Sequence, residues 1–387
     1  MNKSKVRIST FNIILLILTF YEVSGVSHLF FLVFKYGKIL YLIISNIKNL
    51  MEVKSVFIPI MIYGGITLLS TILNQVLFTK SFAAFFYMLH LLAIYLAITS
   101  FIKKRGTAEL IKILIKILLV IIIITDGLML LVRYNFDSPA TNYFIGNKFA
   151  VSYLHCFVVA LLYIFDTKRK SNFVFQFSIL RLLFLFYSIF VCAKVTCTTG
   201  ILICILMGMI VYVPFPNKFK EIISNPISAI GITFLVNVLI FGSFSLLTND
   251  YVAKFISDVL GKSGTWIGRI NIYAMILDVI KVHPWIGYGY FSNIIQDELG
   301  FGNAQNGVFK IIIDSGIIGL SGYVLMVKNS LSNYFSSSKD LWPLIGFVYC
   351  MIIASFAEIN LTDYLMFLCI AIVYANGAIS SYQKYKE

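Results

Sequence analysis

Residues 82–102 read FAAFFYMLHLLAIYLAITSFI, a run without a single charged side chain. As a helix this run is about 30 Å long, which matches the hydrocarbon core of a bilayer. Similar runs recur along the 387-residue chain, which is 59% hydrophobic with a mean hydropathy of +0.90. They are too long and too continuously apolar for the strands of a barrel. The sequence therefore predicts an all-α, polytopic membrane helical bundle.

We predict about twelve transmembrane helices in a single membrane domain, residues 1–387. Their approximate bounds are 8–24, 27–47, 56–74, 82–102, 109–132, 148–166, 174–193, 196–213, 226–245, 308–328, 342–357 and 360–379. Three basic residues precede the first run, but no small-residue cleavage site follows it. We therefore interpret this run as a first span that is retained, not as a signal peptide.

Basic residues predict the orientation of the bundle. With the N-terminus in the cytoplasm, most Lys and Arg residues lie in inner segments, as membrane proteins generally show. The short outer loops then hold only Lys80, Arg133, Lys148 and Lys194. This distribution predicts that both termini are cytoplasmic and that the long polar loop, residues 246–307, faces outward.

The composition also excludes several classes of function. A net charge of +14 would indicate nucleic-acid binding in a soluble protein, but here the basic residues cluster between apolar runs, as orientation signals do. All six cysteines fall within or beside apolar segments and form no CxxC pair, and the four histidines are scattered. We therefore expect no nucleic-acid partner, no disulfide, no metal site and no cofactor.

The long loop between spans nine and ten is where we expect the chemistry, because a short connector cannot build a walled polar site. Apolar residues at three- and four-residue spacing predict an amphipathic helix over about 266–282, with Ile270, Tyr273, Leu277 and Ile280 on its apolar face. His283-Pro284 ends this helix, because proline disfavours helical geometry in the residue before it. Gly287 and Gly289 then allow a tight turn.

Several short motifs occur in a characteristic order in this part of the chain. In the loop and the tenth span they are Gly268-Arg269, His283-Pro284-Trp285-Ile286-Gly287-Tyr288-Gly289, Gln305-Asn306 and Asp314-Ser315-Gly316-Ile317-Ile318-Gly319. Read together, they resemble the O-antigen ligase and polymerase superfamily. Two earlier segments, Gly146-Asn147-Lys148-Phe149 and Thr198-Thr199-Gly200, are similar to signatures of the Wzy-type polysaccharide polymerases. The resemblance covers roughly residues 140–330.

This resemblance implies a glycosyltransferase of the bacterial cytoplasmic membrane. Wzy-type polymerases transfer a growing glycan from undecaprenyl diphosphate to a lipid-linked repeat unit on the outer leaflet, in the synthesis of capsule or O-antigen. The implied partners are undecaprenyl-diphosphate-linked glycans, with a chain-length regulator and a flippase as further candidates. Where ligases have histidine before asparagine, this chain has Gln305, which cannot take a proton. That departure favours a polymerase over a ligase.

The leaving diphosphate requires fixed cations at headgroup depth. Arginine suits this role because its planar fork contacts two phosphate oxygens and stays charged. We therefore predict that Arg269 and Arg133 neutralise the diphosphates, with Lys148 and Lys194 assisting. The alternative for the two lysines is interfacial anchoring.

Other candidates have competing interpretations. Asp314 is the first choice for the group that accepts the acceptor's proton, ahead of Glu358 and Asp278, although it could instead orient the tenth span. Gln305 and Asn306 are expected to bind substrate, with helix capping as the alternative for Asn306. Arg181, deep in the seventh span, either contacts substrate or pairs with an acid such as Asp126, and pairing is favoured. Lys35 and Lys38 are expected to snorkel from the inner half of the second span.

Three rival functions remain open: a polysaccharide ligase, a flippase of lipid-linked oligosaccharides, and a purely structural membrane protein. The long outer loop and the absence of two matching halves count against a flippase. A structural protein predicts no clustering of cations on the outer face.

Overall fold

The structure is a computed structural model that describes residues 3–21, 28–74, 78–131, 143–167, 174–242, 263–332 and 341–384. Within these ranges the chain forms helices joined by turns and no strand, which confirms the prediction of a helical membrane bundle. The α-helices are α1 Lys3–Ile17, α2 His28–Asn46, α3 Lys54–Asn74, α4 Phe78–Arg105, α5 Thr107–Leu131, α6 Lys148–Thr167, α7 Val174–Lys194, α8 Thr198–Tyr212, α9 Asn217–Ser224, α10 Pro226–Gly242, α11 Ser263–Val282, α12 Ile294–Leu299, α13 Gly307–Ser332, α14 Trp342–Ala354 and α15 Tyr364–Lys384.

Each predicted span overlaps one of these helices. Not every one of the helices is long and apolar enough to cross a membrane by itself, so the overlap does not fix the number of spans. Within the described residues, five helices are long and apolar enough to cross a membrane, or six if the pair α9–α10, bent by 70°, is one span. One of the five, Leu29–Asn74, contains both α2 and α3, joined by the 3₁₀ helix Ile47–Val53. The count of twelve therefore stays a prediction.

Helix α4 forms the centre of one part of the bundle. Its most apolar part is 89% buried, and α1, α2, α3 and α15 pack around it. In contrast, α5 exposes Val120 and Ile123 to its surroundings and packs mainly on α6. In a protein of this composition, such an exposed apolar face is a lipid-facing surface.

The bundle has two chemically different ends. At one end Lys103 pairs with Glu52, and Arg105 pairs with Glu109. At the other end the loop that follows α11 packs on the end of α3 and the beginning of α4. We call this the loop end, and it comprises residues 71–74, 78–80, 283–307 and 355–364.

The helix predicted over 266–282 is present as α11, but its buried face differs from the prediction. Tyr273 is buried as expected, whereas Leu277 is 42% exposed and the buried positions are Ile272, Ile276 and Val279. The reason is that α11 packs on the beginning of α13, where these side chains form a small separate core with Phe309 and Ile313. The contact with α13 therefore decides which side of the helix is buried.

Candidate functional site

Helix α13 is broken at Gly316. The backbone there has φ 63° and ψ −168°, a conformation that is essentially restricted to glycine. A break in a helix leaves carbonyl and N–H groups without their partners, and each such group costs several kcal/mol in a membrane. Something other than α13 must therefore complete these hydrogen bonds.

The turn over residues 284–289 completes them. Two of its N–H groups donate to carbonyl oxygens of the first half of the helix, and two of its carbonyl oxygens accept from the second half. The donor–acceptor pairs are Tyr288–Ile313 at 2.6 Å, Gly289–Asp314 at 3.1 Å, Ile317–Pro284 at 2.8 Å and Ile318–Trp285 at 3.1 Å. The turn and the broken helix therefore form one unit, which we call the lock.

A close approach of backbones makes the lock possible. A Cβ on Gly287 would lie 2.5 Å from the carbonyl oxygen of Ile313, so only glycine fits this position. The end of α3 supports the turn from the other side, because the Asn74 side chain donates to the Gly287 carbonyl at 3.2 Å. Three separate segments of the chain thus fix the geometry around Gly316.

Asp314 lies directly before the break. It is almost fully buried and forms an ion pair with Lys310, one helical turn earlier, at 2.5 Å. A cation beside a buried carboxylate offsets part of the cost of burying its charge, and an ionised carboxylate is a hydrogen-bond acceptor only. The role predicted for Asp314, that of a proton acceptor, stays a prediction.

A cavity of about 510 Å³ opens beside this ion pair at the loop end. Among its lining residues are the lysines Lys35, Lys80 and Lys310 and the carboxylate Asp314. The sequence analysis placed Lys35 near the inner half of its span, whereas the structure places it in this cavity. The reason is the direction of α2, whose first half packs beside the loop end.

Each of the three lysines has a defined environment. The Lys35 ammonium lies 5.0 Å from the centre of the Tyr364 ring, and Lys80 donates to the carbonyl oxygen of Phe291 at 2.9 Å. The Lys310 ammonium lies 5.9 Å from the Phe291 ring. Contacts with aromatic faces hold ammonium groups in place without neutralising their charge.

Asn306 caps the N-terminus of α13. Its side-chain oxygen accepts from the N–H groups of Val308 and Phe309, and its amide donates to Asn237 of α10 at 2.9 Å. Its side chain is fully buried. Asn306 therefore acts as a helix cap in the structure, which was the alternative to substrate binding.

Gln305 precedes this cap in the left-handed region, with φ 49°. Its carbonyl oxygen lies 2.8 Å from the Tyr273 hydroxyl of α11. Gln305 and its tyrosine partner therefore join α11 to the beginning of α13, next to the lock.

Of the four cations predicted at the outer face, the structure describes the side chains of two. Arg133 lies outside the described residues, and Arg269 lies in α11, where its side chain is not among those described. Lys148 begins α6 and Lys194 ends α7, each with its ammonium 5.5 Å from the ring of a nearby phenylalanine. Neither lysine lines the cavity that contains Asp314.

Asp126, which the sequence suggested as one possible acidic partner of Arg181, has other hydrogen-bond partners. Asp126 is buried and instead accepts a hydrogen bond from the Tyr187 hydroxyl at 2.7 Å, with His155 Nε2 at 3.1 Å. The Arg181 guanidinium lies over the Tyr163 ring at 5.1 Å. His155 reaches Asp126 because α5 and α6 pack side by side, a neighbourhood that spacing along the chain does not reveal.

The other candidate carboxylates differ in burial. Asp278 forms an exposed ion pair with Lys281 at 2.8 Å. Asp363, directly before α15, was not singled out from the sequence; its side-chain oxygen accepts from the Leu365 N–H at 2.8 Å. Glu358 lies half-buried in the same loop. The loop end therefore contains a second group of carboxylates besides Asp314.

Comparison with known proteins adds one match. Residues 149–324 match a family model described as O-antigen ligase. No curated protein matches the sequence. The matched range contains the lock, Asp314 and Lys310, and it ends within α13. The predicted resemblance to the O-antigen ligase and polymerase superfamily is thereby confirmed for this part of the chain.

Proposed function

From the membership of residues 149–324 in the O-antigen ligase and polymerase superfamily, whose members are glycosyl-transferring membrane enzymes, we propose that this chain is a repeat-unit polymerase. It joins undecaprenyl-diphosphate-linked oligosaccharides on the outer face of the bacterial cytoplasmic membrane, with both termini inside. The product is a capsular or O-antigen-type polysaccharide, and the expected partners are a flippase and a chain-length regulator.

One observation carries this proposal: the Lys310–Asp314 pair beside the helix break, on a cavity whose charged lining residues are mainly cations. Glycosyl transfer from a diphosphate needs both kinds of group. Cations stabilise the charge that develops on the leaving oxygen, and a carboxylate accepts the proton of the attacking hydroxyl.

The transfer step follows from these roles. The acceptor hydroxyl oxygen forms a bond to the anomeric carbon of the donor sugar, and the bond between that carbon and the bridging oxygen of the diphosphate breaks. The electron pair of the broken bond moves to the diphosphate. The lysines of the cavity stabilise this charge, together with the predicted cations Arg269 and Arg133, assisted by Lys148 and Lys194. The hydroxyl proton passes to Asp314, whose ionised form Lys310 stabilises.

Gln305 favours polymerisation over ligation. Its side chain carries no titratable group, so it cannot serve as a base. The ligase alternative requires such a base at this position if the resemblance to ligases extends to their histidine. Asp314 supplies a proton acceptor that does not depend on residue 305.

The deletion phenotype tests the proposed function. We expect that cells without this protein accumulate single repeat units on carrier lipid outside the membrane, because only the joining step is lost. Extraction of lipid-linked glycans and gel analysis of the polymer measure this. Full-length chains on carrier lipid would instead indicate a ligase, and single units confined to the inner leaflet would indicate a flippase.

Arg269→Lys tests the role of the guanidinium. We expect polymer yield to fall about ten-fold or more at unchanged protein level, because lysine cannot contact two phosphate oxygens in the same way. The matched control is Lys281→Met on the same helix, whose ammonium forms an exposed surface pair. Normal polymer from the Arg269 variant would exclude the role proposed for this residue.

A further inference from the structure

A buried polar trio joins three neighbouring helices, with Asp126 on α5, His155 on α6 and Tyr187 on α7. Oδ2 of Asp126 accepts from the Tyr187 hydroxyl at 2.7 Å and lies 3.1 Å from Nε2 of His155. Asp126 and His155 are almost fully buried. Titratable groups inside a membrane bundle are costly, and they generally have a function.

The hydrogen-bond geometry shows that the trio holds a proton between Asp126 and His155. The Val151 carbonyl oxygen lies 2.9 Å from Nδ1 of His155 and can only accept, so Nδ1 carries a hydrogen. Nε2 faces a carboxyl oxygen, and two bare lone pairs at this distance would repel each other. A proton therefore lies between Nε2 and Oδ2, whichever of the two atoms holds it. The pair then has no net charge, which is the form that burial favours.

The trio lies beneath two of the predicted outer cations. Helix α6 begins at Lys148, two turns before His155, and α7 ends at Lys194, two turns after Tyr187. Residues two turns apart share one face of a helix and are separated by about 10 Å along its axis. Hydrogen bonds between helices stabilise their packing in a membrane. The trio therefore fixes α6 and α7 against each other on the faces that carry the two lysines.

Close packing above the trio connects it to these helix ends. A Cβ on Gly200 of α8 would overlap the Ser152 hydroxyl of α6 and would lie 3.1 Å from the Cys192 sulfur of α7. Gly200 thus lets α8 pack tightly on both helices, and the Ser152 hydroxyl donates to the Lys148 carbonyl oxygen at 2.9 Å. Helix ends packed in this way cannot move independently, so a shift at the trio moves the lysines as well.

We propose that Asp126, His155 and Tyr187 are positioning residues that hold the ammonium groups of Lys148 and Lys194 in place for the leaving diphosphate. This inference rests on the proposed function, which gives the two lysines a part in the transfer. The trio does not touch the substrate and acts only through the placement of the two helix ends. A displacement of about 1 Å is enough to weaken such contacts strongly.

Asp126→Asn tests the role of the trio. The atom that replaces Oδ2 can no longer both accept from Tyr187 and share a proton with His155, so one of the two hydrogen bonds is lost. We expect KM for lipid-linked repeat units, extracted from the deletion strain, to rise about ten-fold while kcat stays within about three-fold. The diphosphate is already charged in the bound substrate, so a lost contact mainly weakens binding. A lower kcat with unchanged KM would indicate a loss of folded protein and would overturn the inference.

Tyr187→Phe removes only a hydroxyl group and has a matched control. We expect KM to rise about three-fold or more, because one hydrogen bond of the trio is lost. The control is Tyr349→Phe, which loses the hydrogen bond of 2.7 Å that joins α14 to the Ile223 carbonyl oxygen of α9. Its KM should equal that of the wild type. An equal rise in both variants would assign the effect to general destabilisation and would overturn the inference.

A double-mutant cycle with Lys194→Met tests whether the trio acts through the lysines. Lys194→Met should raise KM about five-fold in the wild type but less than about two-fold in Asp126→Asn, whose ammonium is already displaced. Effects that simply multiply would overturn the inference. The same cycle on the affinity of the purified full chain for undecaprenyl diphosphate needs no turnover. A wild type that binds this lipid but makes no polymer would contradict the proposed function, whereas multiplying effects in a wild type that polymerises would contradict the positioning role alone.

Discussion

Gly316→Ala is expected to abolish polymer formation and to destabilise the protein severely. A Cβ at this position would overlap the backbone carbonyl of Trp285, which cannot rotate away as a side chain can. The glycine-only backbone conformation adds about 1–3 kcal/mol, and overpacking adds a similar amount. Relief of the overlap requires residues 284–289 to move away, which would break the four hydrogen bonds of the lock.

The measurements are the thermal unfolding of the purified protein and the polymer yield in a deletion strain. Gly65→Ala is the matched control, because a Cβ at Gly65 on α3 meets no atom within 4 Å and alanine favours a helix. We expect the control to unfold at or above the wild-type temperature and to make normal polymer. If the two variants behaved alike, the lock would not determine the site.

The helices were predictable because apolar runs of sufficient length leave one solution in a membrane. The glycine turn after His283 was also predictable, since proline and glycine act locally. The break in α13 was not, because Gly316 lies inside a segment whose length and apolar content predict one uninterrupted span. Only the neighbouring turn, thirty residues earlier, makes the break favourable.

The cavity could not be predicted for a related reason. Its lysines occupy positions 35, 80 and 310, and no local pattern joins positions so far apart in the sequence. Lys35 alone looked like a snorkelling side chain, which is the common role of an isolated lysine in a span. Asp314 was found because it belongs to a motif. The sequence therefore singled out the carboxylate that lines the cavity, but it did not bring the three lysines together around it.

The partners of charged residues within the spans were also not predictable from the sequence. Charge alone suggested Asp126 as one possible partner of Arg181, whereas in the fold Asp126 contacts His155 and Tyr187. Several polar groups compete for one carboxylate in a bundle, and helix packing decides which is near enough. Sequence analysis can state that a buried charge needs a partner, but it cannot select the partner.

The Lys310–Asp314 pair supports the second large prediction. Asp314→Asn should lower polymer yield about 100-fold or more, as expected for the loss of a general base. Lys310→Met should also remove activity and should lower the free energy of unfolding by about 3–5 kcal/mol, because it leaves a buried carboxylate unpaired. Polymer yield and chemical unfolding of the purified variants measure the two effects.

The double variant Lys310→Met/Asp314→Asn separates catalysis from packing. Both partners are then neutral, so stability should return towards the wild type while activity stays absent if Asp314 accepts the proton. Restored activity would instead mean that Asp314 only neutralises Lys310. The exposed pair of Asp278 and Lys281 provides the control, since Asp278→Asn/Lys281→Met should change stability by less than about 1 kcal/mol. A proton acceptor is needed at every turnover, so restored activity in the double variant would exclude that role for Asp314.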